Sequence, residues 1–289
     1  MWCALPCSRI CSLPFTFCHP AAVLPLLRRP FVPVALVAGA MAPDLPYYVP
    51  FEVQEVLLVP GAWYFRVFDA GATHGVTGMF GMFGFDLLVT AVLVGVFQVC
   101  RRPLSLLLPA RFAFWSPVRA SSGGRGFSLL VWGPVSALVG IGSHIAWDAT
   151  TKGGMAAVFP FLRDPVVGST DGLTVISYAN TLIGAVVLLV WLWRRVPAQP
   201  SPVSRSLPVL VRWGVLTGVL VAAAAAVAVP GFGTDSVRVV VVRVVGAVAA
   251  VLFGYAVAWH MGRLLLPRGR TDASDGEAAR TMPVPAGRP

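Results

Sequence analysis

The chain of 289 residues is 57% hydrophobic and only 12% charged, with a net charge of +10 and a mean hydropathy of +0.78. Soluble domains are about 45–50% apolar and about 25% charged, so a water-soluble globule is excluded. The positive charge comes from arginines in short runs at the ends of apolar segments, which excludes a nucleic-acid-binding surface with interleaved aromatics. The sequence therefore predicts an all-α, polytopic bundle of transmembrane helices.

The N-terminal segment contains Cys3, Cys7 and Cys11 at four-residue spacing. No further ligand lies at the spacing of a zinc site, and the interval does not match the cysteine triads of iron–sulfur enzymes. Prolines and polar residues also interrupt any signal-peptide core. We predict three regions: a non-functional N-terminal extension (1–12), an integral membrane domain (13–266) and a disordered cytoplasmic tail (267–289).

Six apolar segments approach the length of about 20 residues that a helix needs to cross a membrane. In chain order they are 31–49, 75–99, 127–147, 174–193, 207–229 and 239–262. The first is the weakest, because Pro33, Pro43 and Asp44 interrupt it. The alternative for this first segment is a re-entrant helical hairpin, with residues 20–29 and 31–43 as its arms and the turn near Pro30.

The basic residues predict the orientation, because cytoplasmic loops retain arginine and lysine. If the N-terminus is cytoplasmic, 17 arginines lie inside. Only four basic residues then lie in outside loops: Arg66, Lys152, Arg163 and Arg238. The sequence thus predicts a multi-pass protein with both termini in the cytoplasm. Membrane lipid is the expected partner, no nucleic acid is expected, and the oligomeric state stays open.

Ionisable side chains at membrane depth are costly, so they are the first candidates for function. His144 and Asp148 are four residues apart, and on a helix both would project from one face, as a chelating pair requires. A neutral imidazole and a carboxylate suit zinc, manganese or iron. A hydrogen bond between the two side chains at a helix end is the alternative.

The predicted topology brings further ligands to the face that holds this pair. Asp44 lies near the outer end of the first span, and His74 begins the second span from outside. Two histidines and two carboxylates from three adjacent helix ends can leave one position for water or substrate, as a catalytic metal site requires. The sequence therefore predicts an extracytoplasmic metal site.

Two other polar residues have open alternatives. The simple topology puts His19 on the cytoplasmic side, whereas the hairpin returns it to the outer face and places two arginines at membrane depth. Asp86 lies twelve residues beyond His74, about 18 Å along a helix and too far to share its ligand shell. We expect Asp86 to pair with a group such as Arg243 rather than to relay protons.

Several motifs resemble those of one bacterial family. They are Pro14-Phe15-Thr16-Phe17-x-His19-Pro20-Ala21-Ala22, Pro43-Asp44-Leu45-Pro46-Tyr47-Tyr48, Thr73-His74-Gly75, Phe85-Asp86 and Ser143-His144-x-x-Trp147-Asp148. Over residues 13–195 the chain resembles an uncharacterised multi-spanning membrane family, known as a domain of unknown function, whose members start Met-Pro-Phe-Thr. That family is similar to YdjM-like predicted inner-membrane metal-dependent hydrolases and, remotely, to zinc phospholipase C and P1 nuclease.

The resemblance implies a protein of the bacterial inner (cytoplasmic) membrane with a divalent metal ion, zinc, as cofactor. In the soluble enzymes an Asp, a His and a His-x-x-x-Asp pair build one metal centre, and an N-terminal His contributes to a neighbouring one. The corresponding metal ligands here are Asp44, His74, His144, Asp148 and His19. The second His-x-x-x-Glu pair of those enzymes is missing, so one or two metals are implied. Leu13 stands where family members have Met, which indicates a start-site artefact before it.

Three functions remain open. The first is a metal-dependent hydrolase of a lipid or another phosphoester, in which Asp44 or Asp148 orients or deprotonates a metal-bound water. The second is a transporter or channel-like protein in which Asp86, Arg243 and the outer carboxylates line a path. The third is a non-catalytic membrane scaffold whose metal only pins three helices.

Overall fold

A computed structural model describes residues 16–48, 81–108, 125–150, 153–168, 170–195, 207–228 and 237–265. In chain order its helices and strands are α1 (Pro20–Val23), α2 (Pro33–Gly39), α3 (Phe85–Leu107), α4 (Arg125–Ala149), α5 (Gly153–Val158), β1 (Pro165–Val167), β2 (Thr170–Asp171), α6 (Gly172–Arg195), α7 (Val209–Ala228) and α8 (Val237–Leu265). Short 3-10 helices cover Thr16–Cys18, Leu24–Leu26, Ala42–Tyr48 and Pro160–Arg163. The two strands form an antiparallel ribbon in which Val167 is paired with Thr170.

Five helices in the described ranges, α3, α4, α6, α7 and α8, are long and apolar enough to cross a membrane. They leave large apolar side chains such as Leu182, Leu210 and Leu220 mostly exposed. Outward-facing apolar side chains are typical of helices surrounded by lipid, because lipid tails are as apolar as a protein core. The all-α, polytopic helical bundle is therefore confirmed, and the last four predicted spans coincide with α4, α6, α7 and α8.

The predicted first span, residues 31–49, is wrong. Helix α2 has only seven residues, about 10 Å of helix, and the chain continues as the 3-10 helix Ala42–Tyr48. Pro43 cannot donate the backbone hydrogen bond that a continuing α-helix needs. The hairpin alternative is confirmed: two short arms fold back on each other, and their ends meet where Thr16 Oγ1 donates a hydrogen bond of 2.6 Å to Asp44 Oδ2.

The predicted second span, residues 75–99, starts too early. Residues 81–84 form a turn, and α3 begins at Phe85. Asp86 thus lies in the first turn of α3 rather than about twelve residues into a helix, and its separation from His74 stays a prediction. Its side chain is fully buried, and its pairing with Arg243 stays a prediction. His74 lies outside the described residues.

Two glycines allow the second arm of the hairpin to lie directly against α4. A Cβ atom on Gly39 would collide with the carbonyl oxygen of Ala137, and one on Gly140 would collide with the carbonyl oxygen of Leu36. Small residues at helix contacts permit this close approach of backbones. Any larger side chain at these positions would push α2 away from α4.

The first arm of the hairpin is held by α6. Cys18 Sγ donates a hydrogen bond of 3.1 Å to the carbonyl oxygen of Thr181. One turn further along α6, a Cβ atom on Gly184 would lie 2.8 Å from Cys18 Cβ. The hairpin is therefore wedged between α4 and α6, and His19 follows directly after the contact with α6.

Candidate metal centre

Four buried ionisable side chains meet where the two ends of the hairpin contact the end of α4. His19 and Asp44 come from the hairpin, and His144 and Asp148 lie one turn apart on α4. All four residues are at most 3% exposed. The pair on α4 therefore faces the hairpin, and the hairpin supplies a second histidine and a second carboxylate.

Three of the four side chains, those of His19, His144 and Asp148, lie close enough to hold one ion, and Asp44 lies beside His144. His19 Nε2 is 3.1 Å from Asp148 Oδ1, and His144 Nε2 is 3.6 Å from Asp148 Oδ2 and 3.4 Å from Asp44 Oδ1. The ligand atoms of His19, His144 and Asp148 all lie within 4.8 Å of one another. Ligand atoms around a tetrahedral zinc ion are about 3.4 Å apart, since each bond is about 2.1 Å long. These spacings suit a single ion.

Backbone carbonyls fix the orientation of both imidazole rings. His144 Nδ1 donates a hydrogen bond of 2.8 Å to the carbonyl oxygen of Ala40, and His19 Nδ1 donates one of 3.2 Å to that of Thr16. A carbonyl can only accept, so each ring carries a proton on Nδ1. In the neutral rings both Nε2 atoms then present lone pairs, the arrangement found in metal-ligating histidines. The rings stack with their centroids 4.0 Å apart.

Thr16 holds one oxygen of Asp44 and leaves the other for the site. Its hydroxyl donates to Oδ2, while Oδ1 faces His144 Nε2. Thr16 belongs to the motif at residues 14–22, but the sequence alone indicates no role for its hydroxyl. The only hint in the sequence was the position of this hydroxyl, three residues before the candidate ligand His19. The carbonyl of Ala40 gave no signal at all, because every residue has one.

The structure brings together four of the five predicted site residues: His19, Asp44, His144 and Asp148. His74 is the fifth, and its part in the site stays a prediction. The hairpin also decides between the two alternatives for His19, which lies beside the α4 pair rather than at the opposite end of the bundle.

Changing Thr16 to valine is expected to weaken metal binding about 10- to 100-fold, the usual effect of removing a hydrogen bond to a metal ligand or its neighbour. Valine keeps the shape of threonine but cannot donate to Asp44, whereas Thr16→Ser can and should bind almost as the wild type does. Competition with a chromophoric zinc chelator measures both affinities. Equal affinities for the valine and serine variants would show that this hydrogen bond has no effect on the site.

Comparison with known proteins gives one match. A family model described as "Domain of unknown function (DUF4184)" matches residues 13–260, a range that contains the whole hairpin and nearly all of the five spanning helices. The similarity to an uncharacterised domain family is thus confirmed, and it extends beyond the predicted residue 195. No curated protein and no solved structure matches the chain.

Proposed function

Because this chain belongs to the DUF4184 family, whose description assigns no function, we propose one from the site itself. The protein binds one divalent transition metal ion, zinc, and uses it to hydrolyse a phosphoester, such as a membrane lipid head group. The observation that carries this proposal is the arrangement of two oriented Nε2 atoms against two buried carboxylates.

Charge balance at this site is met in one of two ways. Protonated imidazoles would donate their Nε2–H groups to the carboxylates, whereas with neutral imidazoles the Nε2 lone pairs face carboxylate oxygens and every one of these atoms is an acceptor. Two buried carboxylates also carry two negative charges, whose burial is costly unless they are paired. A divalent ion between them neutralises that charge and accepts all of the lone pairs. The four side chains thus have the composition of a metal site.

The ligand types favour catalysis over a purely structural role. Structural zinc sites are mostly rich in cysteine, whereas catalytic sites use three His or carboxylate ligands and leave one position for water. We assign His19, His144 and Asp148 as the three ligands, because their ligand atoms form the compact group. The resemblance of the sequence motifs to those of YdjM-like hydrolases and zinc phospholipase C supports this proposal.

Asp44 is the proposed general base. The metal ion would lower the pKa of a bound water toward neutrality. Asp44 Oδ1 would accept the proton of the attacking water, while Thr16 holds the other carboxylate oxygen. The water oxygen would bond to phosphorus as the bond between phosphorus and the leaving alcohol breaks. The proton taken up by Asp44 would pass to the leaving alcohol, so the reaction balances.

The test compares Asp44→Asn with His144→Ala in zinc-loaded protein in detergent. The probes are bis(p-nitrophenyl) phosphate and mixed micelles of phosphatidylglycerol. At saturating zinc, we expect Asp44→Asn to keep the ion on its three remaining ligands and to lower turnover at least about 100-fold, because the general base is lost. His144→Ala should lose both metal and turnover. Wild-type protein that holds zinc but cleaves neither probe would contradict the hydrolase proposal.

A second candidate function is a structural metal clamp that fixes the hairpin to α4. The near-complete burial of all four side chains favours it, because a catalytic metal needs access for substrate. In this case zinc would raise the thermal stability of the wild type, and neither probe would be cleaved. Turnover that disappears in Asp44→Asn while stability is retained would exclude the clamp as the sole function.

We also propose that the metal centre faces the outside of the bacterial cytoplasmic membrane. All acidic residues in the described ranges lie at the metal end of the bundle: Asp44, Asp86, Asp148, Asp164 and Asp171. At the other end lie arginines, which cytoplasmic regions retain. Because the hairpin returns Thr16 to the metal end and five spans follow, this orientation puts Thr16 outside and Leu265 inside. The sequence predicted two cytoplasmic termini because it counted six spans. With a hairpin in place of the first span, five spans remain, and an odd number puts Thr16 and Leu265 on opposite sides.

Reporter fusions test this orientation. A reporter after the last residue should report cytoplasm, and one inserted near Asp164 should report the exterior, because five spans separate the metal end from the end of α8. Alkaline phosphatase and green fluorescent protein fusions give opposite readouts at each position. A C-terminus that reports the exterior would reverse the proposed orientation.

A further inference from the structure

The tip of the hairpin carries two exposed arginines, Arg28 and Arg29. The turn is closed by a hydrogen bond of 3.0 Å from the Phe31 N–H to the carbonyl oxygen of Arg28. Within the part of the chain that the structure describes, neither guanidinium group has an ion-pair partner. A charged group at such a position needs an explanation, because the hairpin lies among membrane-spanning helices.

The contacts of the tip with α4 define its depth. The Phe31 ring packs edge-on against Trp132, with centroids 5.9 Å apart, and the Val32 N–H donates to Ser136 Oγ at 2.9 Å. Trp132 is seven residues from the beginning of α4 at Arg125, about 10 Å along the helix. It is twelve residues from His144, about 18 Å along the helix. The hairpin tip therefore lies toward the end of α4 that is opposite the metal centre.

An arginine side chain can bridge the remaining distance to the lipid head groups. Its guanidinium extends about 6 Å from the backbone, and such side chains lie along apolar surface while the charged group reaches polar surroundings. From the level of Trp132 the two guanidinium groups thus reach the phosphate layer of that leaflet. The cost of placing two arginines at membrane depth is avoided in this geometry.

Within the described ranges, the chain supplies no acidic side chain at this end of the bundle. All acidic residues of the described ranges lie at the metal end, as given above. The arginines that the described ranges place at the opposite end include Arg28, Arg29, Arg101, Arg102, Arg194, Arg195, Arg212 and Arg263. Guanidinium groups bind phosphate through two parallel hydrogen bonds. We propose that Arg28 and Arg29 bind the phosphate groups of anionic phospholipids in the leaflet opposite the metal centre, which anchors the hairpin tip.

The first test measures thermal unfolding in nanodiscs of phosphatidylcholine, with and without 30% phosphatidylglycerol. A ligand that binds only the folded state raises its unfolding temperature, and we expect the anionic lipid to raise that of the wild type by about 4 °C. In the double variant Arg28→Gln, Arg29→Gln less than half of this shift should remain. The double lysine variant should keep most of it, because the charge is preserved.

Arg194→Gln with Arg195→Gln is the matched control, because it removes two consecutive arginines from the same end of the bundle. This control should keep the full lipid-dependent shift. Zinc content near the wild-type value in both glutamine variants would show that the hairpin is folded. An unchanged shift in the Arg28/Arg29 variant overturns the proposal. An equal loss of the shift in the control also overturns the proposal, because the shift would then depend on the total positive charge at this end of the bundle and not on the hairpin tip.

The second test determines the side of the membrane. Arg28→Cys and Asp164→Cys are each introduced into a variant without native cysteines and labelled in sealed vesicles with a membrane-impermeant maleimide. We expect the two positions to be labelled from opposite sides. Labelling of both from one side would show that the tip does not reach the opposite leaflet, and it would overturn the proposal whether or not the protein is a hydrolase.

Discussion

Replacing His144 with alanine is expected to reduce the metal content of the purified protein from about one ion per chain to background. His144 Nε2 lies between both carboxylates, so the change removes the ligand that links Asp44 to Asp148. Its Nδ1 also bonds to the backbone of the hairpin at Ala40, so alanine loses the contact that positions the second arm. Elemental analysis of dialysed protein by mass spectrometry measures the metal content.

The matched control is His260→Ala. His260 Nε2 donates to the carbonyl oxygen of Val99, away from the cluster, so this variant should keep its metal. Asp148→Ala should behave like His144→Ala, whereas Asp86→Ala should keep the metal and act on folding or assembly. Full occupancy in the His144→Ala protein, or no metal in the wild type, would contradict the metal site. Both the hydrolase and the clamp would then be excluded.

Replacing Gly140 with leucine is expected to displace the hairpin and, as a consequence, to abolish metal binding. A Cβ atom at this position already collides with the carbonyl oxygen of Leu36, so a leucine side chain cannot be accommodated by a rotamer change. Overpacking of this kind costs about 3 kcal/mol of folding free energy. His19 and Asp44 arrive on the hairpin, so its displacement removes half of the cluster. Thermal unfolding and metal content together measure the effect.

Gly133→Leu provides the control on the same helix. A Cβ atom on Gly133 meets nothing within 4 Å, so this variant should unfold and bind metal as the wild type does. A Gly140→Leu protein that still holds one metal ion per chain would show that the hairpin does not supply ligands. The metal ligands would then have to come from residues of α4 and from parts of the chain outside the described ranges.

The sequence by itself determined the class of protein and most of its spans. Hydropathy is a local property, so segments such as 174–193 and 239–262 are identified without knowledge of their neighbours. It also determined that His144 and Asp148 share a helix face, because a spacing of four residues is fixed by helix geometry. The distribution of the arginines also predicted the orientation of the spans. From that orientation it follows that Asp44 lies at the same end of the bundle as His144 and Asp148.

Only the tertiary structure decided between a first span and a hairpin. Residues 31–49 are apolar enough for either, and the hairpin is stabilised by long-range contacts, such as Gly140 against the Leu36 backbone and Ser136 with the Val32 N–H. No local pattern in the sequence encodes such contacts. The position of His19 follows from the hairpin, because its partner Asp148 is 129 residues away along the chain. The roles of Thr16 and the Ala40 carbonyl likewise exist only once the arms have folded together.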